Sequence, residues 1–221
     1  MIFYSNRLAL LAAGLCLGLI AAGPAALPAV AAGGAPGSPD WPCPQRKVAK
    51  LSPSDLQWEG ELPDMQGWRQ DSDINKLVEL LASRRVPLEE ATAALKAYAA
   101  KAPSAERKAK LTIVFGGLLE TVNTYRSSVI SGIERFNRRQ KGRAKEIEEE
   151  GLKINELQKQ AGTNATLRAE ADKAVELYDW NVRVFEERRL NLPIACEIPP
   201  AIDGRTFELG REIRELLKAA G

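Results

Sequence analysis

No proline interrupts residues 104–192, and along that stretch apolar residues recur in steps of three and four. Proline is the residue a helix interior tolerates least, because it removes a backbone donor and clashes with the preceding turn. The series Leu111, Phe115, Leu118, Val122, Tyr125, Val129, Ile133 and Phe136, continued by Gln140, Ala144, Ile147, Gly151, Ile154 and Leu157, predicts one helix over about 105–160. At 1.5 Å per residue it would run roughly 80 Å, longer than a compact domain of this size can enclose. Such a helix must project.

Ala161-Gly162-Thr163 is the expected reversal, with Gly162 free to take positive φ and Thr163 or Asn164 placed to cap the next helix. That helix is predicted to run to about Leu190, with Leu167, Ala171, Ala174, Tyr178, Asn181, Phe185 and Leu192 on one face and Pro193 as its stop. Its length suits antiparallel pairing with the distal half of the long helix, so a coiled-coil hairpin is expected over about 133–190. Small residues at Ala144, Gly151, Ala171 and Ala174 imply close approach of the two axes.

Shorter helices flank this rod. Ile74, Leu77, Val78 and Leu81 fall at i, i+3, i+4 and i+7 behind Asp71 or Ser72 as cap, ending near Arg85. Pro87 fits the first turn of a second helix bearing Leu88, Ala91, Leu95 and Tyr98, and Ser104 is a candidate cap for the long one. Pro199-Pro200 opens a last helix with Ile202, Thr206, Leu209, Ile213 and Leu216 on one side. The expected fold class is all-α: a small helical bundle over 71–221 carrying the hairpin.

Ahead of the helices, residues 32–70 hold Pro36, Pro39, Pro42, Pro44, Pro53 and Pro63, which forbid a long helix, yet also Trp41, Trp58 and Trp68. A disordered linker does not normally carry three tryptophans. The segment is expected to be an extended arm pinned to the bundle by its aromatics. Residues 1–31 read as a cleaved export signal: Arg7, an apolar run from Leu8 to Ala22, and Ala29-Val30-Ala31 before the cut. The run is too short to span a bilayer and Gly23-Pro24 ends it, so no transmembrane helix is expected to be retained. A periplasmic or secreted protein is the expectation, and its alanine-rich signal has a bacterial look.

Three cysteines occur, and Cys16 leaves with the signal. Cys43 and Cys196 remain as an even pair in an oxidising compartment, so a disulfide between them is expected, closing a loop of about 150 residues. Neither belongs to a C-x-x-C pair, which argues against redox catalysis.

The chain contains no histidine. Zinc sites, Glu-x-x-His di-iron sites and C-x-x-C-H haem attachment all need side chains that are missing, and Met65 is the one methionine beyond the signal. Asp71-Ser72-Asp73-Ile74-Asn75 opens like a calcium loop but puts Lys76 at the sixth position and Ala82 at the twelfth, where glycine and glutamate are needed. No catalytic serine, phosphate-loop or dinucleotide motif is present. No metal or cofactor is expected. Carboxylate-only hydrolysis of a glycan is the enzyme chemistry that survives.

Net charge is +2, or +1 without Arg7, too near neutral for a general nucleic-acid binder. One local concentration stands out. Arg135, Arg138, Arg139, Lys141, Arg143 and Lys145 precede Glu146, Glu148, Glu149 and Glu150, so the six cations form a candidate binding patch for an envelope protein or an anionic envelope polymer. The alternative is a solvated face paired with acids across the hairpin. Glu186, Glu187, Arg188 and Arg189 are candidates to meet Arg126 or Arg135 or to face a ligand, and the four tryptophans, including Trp180, are read as core, with an aromatic platform for a glycan or peptide as the alternative. The expected role is an exported, non-enzymatic adaptor, chaperone or assembly factor. A carboxylate enzyme acting on cell-wall glycan and a lipid or small-ligand carrier, with a cavity among Phe115, Leu118, Leu119 and Val122, are the alternatives.

Overall fold

The computed structural model describes residues 39–60 and 67–220. The stretch 1–31 expected to be an export signal, and residues 32–38 and 61–66 of the expected arm, lie outside the described residues. Everything described belongs to one unit beginning at Gly34. Among the described residues there is no strand. Six helices succeed one another: α1 (Ser72–Ala82), α2 (Leu88–Lys101), α3 (Ser104–Ala161), α4 (Ala165–Arg189), α5 (Asn191–Cys196) and α6 (Ile198–Ala219), with short 3-10 turns at Ser54–Leu56 and Gly67–Gln70. The expected all-α class and the hairpin of α3 and α4 are both present.

Local chemistry sets the boundaries. The Asp71 carboxylate accepts from the backbone N–H of Asp73 and Ile74 at 2.9 and 3.1 Å, satisfying donors that the first turn leaves free. Asn164 does the same for Thr166 and Leu167 at the start of α4, and Gly162, at φ 47°, makes the reversal before it. Pro87 and Pro103 stand just before α2 and α3 with extended ψ. Pro87 is therefore outside its helix rather than in the first turn, and Ser104 is the first helical residue rather than the cap.

The bundle core is the proximal half of α3 enclosed by α1, α2 and α6. Leu111, Val114, Phe115, Leu118 and Leu119 face Ile74, Val78 and Leu81 of α1, Ala91 and Leu95 of α2, and Ile202, Leu209 and Ile213 of α6, all essentially inaccessible. Fully burying each large aliphatic side chain is worth about 1.5 to 3 kcal/mol. The arm contributes Leu56, Trp58 and Trp68. Trp58 stacks on Phe115 with centroids 3.8 Å apart and planes 8° from parallel. Trp68 crosses α3 where Gly117 offers no side chain: a Cβ there would lie 2.7 Å from the indole Cγ and 2.8 Å from Val78 Cγ2.

The register of α3 departs from the expected stripe after Val122. Ile133 is buried as expected, but Arg126, Ile130 and Asn137 are buried too, whereas Tyr125 is exposed. Two polar residues can occupy buried positions because distant partners meet them. Arg126 makes a two-pronged pair with Asp203 of α6, Nε and Nη2 donating at 2.6 and 2.9 Å, and Asn137 Nδ2 donates to the Asp40 carbonyl at 3.0 Å. Further out, Arg143 replaces Ala144 on the half-buried seam. Pro193 does not stop α4. The helix ends at Arg189, and Pro193 sits in the first turn of α5, where its missing N–H costs no hydrogen bond. Trp180 is not core but 59 % exposed on the outer face of α4.

Candidate interaction surface

A proline-rich segment cannot use a sheet or helix to satisfy its backbone, and here the side chains of α3 do so instead. The arm runs antiparallel along α3 as a strap. Lys141 Nζ donates to the Pro39 carbonyl at 2.8 Å, and Arg138 bridges to Asp40 at 2.8 Å. Lys47 meets Glu134 at 2.6 Å, and Ser127 donates to the Ala49 carbonyl at 3.4 Å. Asn123 then grips Leu51 from both sides, accepting its N–H at 2.8 Å and donating to its carbonyl at 2.9 Å. At the end of the strap, Trp68 Nε1 and both Arg69 nitrogens donate to the Glu120 carboxylate at 2.7 to 3.0 Å. Chiefly the Arg69 hydrogen bonds hold that carboxyl below its usual range.

Cys43 and Cys196 form the expected disulfide, beside Ile133 and with Trp41, Leu192 and Ala195 packed around it. Gln45 donates to the Cys196 carbonyl, and Trp41 Nε1 to the Gln45 carbonyl at 2.7 Å. The covalent link therefore ties the strap to α5, the crossing from α4 to α6, and packs both on α3 at the root of the hairpin.

The six cations of the candidate patch divide by what they touch. Arg138 and Lys141 hold the strap. Arg143, on the seam, pairs with Glu146 at 2.8 Å and Glu150 at 3.4 Å, and Glu150 in turn accepts from Asn181 of α4 at 3.1 Å. These contacts, first the hydrogen bond that Arg143 donates to Glu146, push the Arg143 guanidinium up. Arg135, Arg139 and Lys145 are exposed and make no ion pair among the described residues. Arg135 and Arg139 are one turn apart on one face, while Lys145 points to another side. Structure thus reduces the candidate surface to Arg135 and Arg139, on the side of α3 turned away from Ile133 and the disulfide. Of the charged residues late in α4, Arg189 pairs with Glu186 on its own helix, and Arg126 of α3 is taken by Asp203.

The cavity that a carrier would need is filled. Phe115, Leu118, Leu119 and Val122 are close-packed, and the interior void that Leu118 and Val122 help to line is about 20 Å³, room for roughly one water. Among the described residues no three His, Cys, Asp or Glu side chains cluster to hold a metal. Asp55, like Glu120, is held below the usual carboxylate range, by hydrogen bonds from Ser52; a glycosidase general acid needs the opposite shift.

Sequence reasoning missed the outer face of α4. Leu177 and Trp180 stand there largely exposed, with Lys173, Glu176, Asp179 and Arg183 around them. The signal was in the spacing: Trp180 lies across the helix from Ala171, Ala174 and Tyr178, the residues that make the seam.

Comparison of the chain with protein-family models, curated proteins and solved structures finds no match. Any functional reading must come from the surface itself.

Proposed function

We propose that the protein is an exported, non-enzymatic helical interaction protein of the cell envelope, an adaptor, chaperone or assembly factor, whose hairpin is a lever set on a covalently fastened base. The observation that carries this reading is the Arg135 and Arg139 face: two exposed cations without counter-charge among the described residues, at the root of a rod that the disulfide and strap hold in one orientation. Charges of one sign on a rigid support recruit an acidic partner and set its register more than they add affinity. Export agrees with the disulfide, since such bonds persist in oxidising compartments, and no described helix is long and apolar enough to cross a membrane.

The test is recovery of envelope partners from the native host by the mature chain and by Arg135→Glu/Arg139→Glu. The variant touches no structural contact, so its thermal midpoint should equal the parent's while partner recovery is lost. Equal recovery by both chains at low and moderate salt would overturn the proposal. Amino-terminal sequencing of the exported form should begin at Ala32; an intact Met1 would contradict export by a cleaved signal.

A further inference from the structure

Leu177 and Trp180 on α4, Ile194 on α5 and Leu190 between them are each about 60 to 70 % exposed. At about 100° per residue, Leu177 and Val184 lie to one side of Trp180, Glu176 and Arg183 lie to the other, and Lys173 and Glu187 lie above and below it. This stripe faces away from the seam with α3, and its residues are exposed apart from Val184, which is half-buried. None of Lys173, Glu176, Arg183 and Glu187 makes an ion pair among the described residues, although the charges could have been used locally.

The order of these charges is complementary to its own reverse. Two identical helices laid antiparallel about a two-fold axis beside Trp180 bring Trp180 onto its symmetry mate. Residues equally far before and after Trp180 then meet, on the same side of the contact. Glu176 comes level, within about one residue rise, with Arg183 of the other copy, and Lys173 with its Glu187. Leu177 meets Val184 on the opposite side. Each opposition occurs twice by symmetry, so four ion pairs and an apolar strip flank the central tryptophans. Asp179 lies about a quarter turn round from Trp180, outside the contact.

We infer that the outer face of α4 is a self-association surface, and that its partner is a second copy of this chain docked antiparallel through Trp180. The inference does not depend on the Arg135 and Arg139 reading, which concerns another surface. One helix from each copy makes an interface at the small end of the specific range, so the association is weak and salt-sensitive.

Sedimentation of the mature chain at low ionic strength, from low to high micromolar concentration, tests it. The parent chain should dimerise reversibly. Glu176→Arg and Arg183→Glu should each weaken dimerisation roughly tenfold or more, because each turns two attractions into repulsions. An equimolar mixture of the two variants should recover it, since only the mixed dimer restores opposite charges. Both substitutions are on an exposed face, and unchanged helix content by circular dichroism would show that they fold. A parent that stays monomeric throughout would overturn the inference and assign the face to another partner. A mixture that associates no better than either variant alone would overturn the antiparallel register.

Discussion

At the residue scale, Gly117 is where the arm depends on a single missing methyl group. The Trp68 indole lies on the α3 backbone there, tied by Nε1 to Glu120 and covered by the Arg69 guanidinium 4.4 Å above its ring. Gly117→Ala would favour an isolated helix but must displace the indole and Val78 together. Overpacking of this kind costs about 1 to 3 kcal/mol, more than the roughly 1 kcal/mol gained from helix propensity. Urea denaturation should therefore show Gly117→Ala less stable than the parent. Tyr98 gives a second handle. Burial, with the nearby charges of Asp71 and Asp73, raises its hydroxyl from 10.0 to about 12. The unfolded chain thus loses this proton first, so the stabilisation is complete below pH 10 and drains away between about 10 and 12. Measured against pH, the parent should lose stability relative to Tyr98→Phe across that window; a constant difference would show that Tyr98 titrates normally.

At the element scale, the strap is held by polar contacts spaced along α3 and by one covalent bond. Replacing Cys43 and Cys196 by alanine should lower stability by up to about 4 to 5 kcal/mol on the chain-entropy view. It should also speed amide exchange at residues 39–51 ahead of the bundle, because noncovalent contacts such as those of Asn123, Lys47, Asn137, Arg138 and Lys141 must then hold the segment. Exchange rates unchanged at those residues would mean that the disulfide is not the fastener. The elements themselves were largely legible in the sequence, because caps and turns are local: Asp71, Gly162 and Asn164 act on residues within a few positions. The register of α3 was not. Arg126 and Asn137 are buried only because Asp203 and the Asp40 carbonyl reach them from far along the chain, and no periodicity of apolar residues contains that information. The candidate cations divided for the same reason. Arg138 and Lys141 are spoken for by the arm, which the run of charges cannot show.

At the scale of the whole described unit, the architecture separates a dense base from a thin rod. The base buries large aliphatic and aromatic side chains from α1, α2, α3, α6 and the strap, whereas α4 buries only Ala171 fully. A two-helix seam of half-buried residues offers little stability by itself, so the hairpin relies on its root, where the disulfide is found. Both surfaces argued to act, Arg135 with Arg139 at the root and the outer stripe of α4, are placed by that root. The most direct test is the distance between fluorescent labels at Lys108 and Lys159, exposed residues near the two ends of α3, in the chain with its disulfide intact. A single continuous helix sets this separation at roughly 75 to 80 Å, with a narrow distribution. A mean below about 50 Å, or a broad distribution, would show that the rod folds back or breaks, and would contradict a lever on a fastened base.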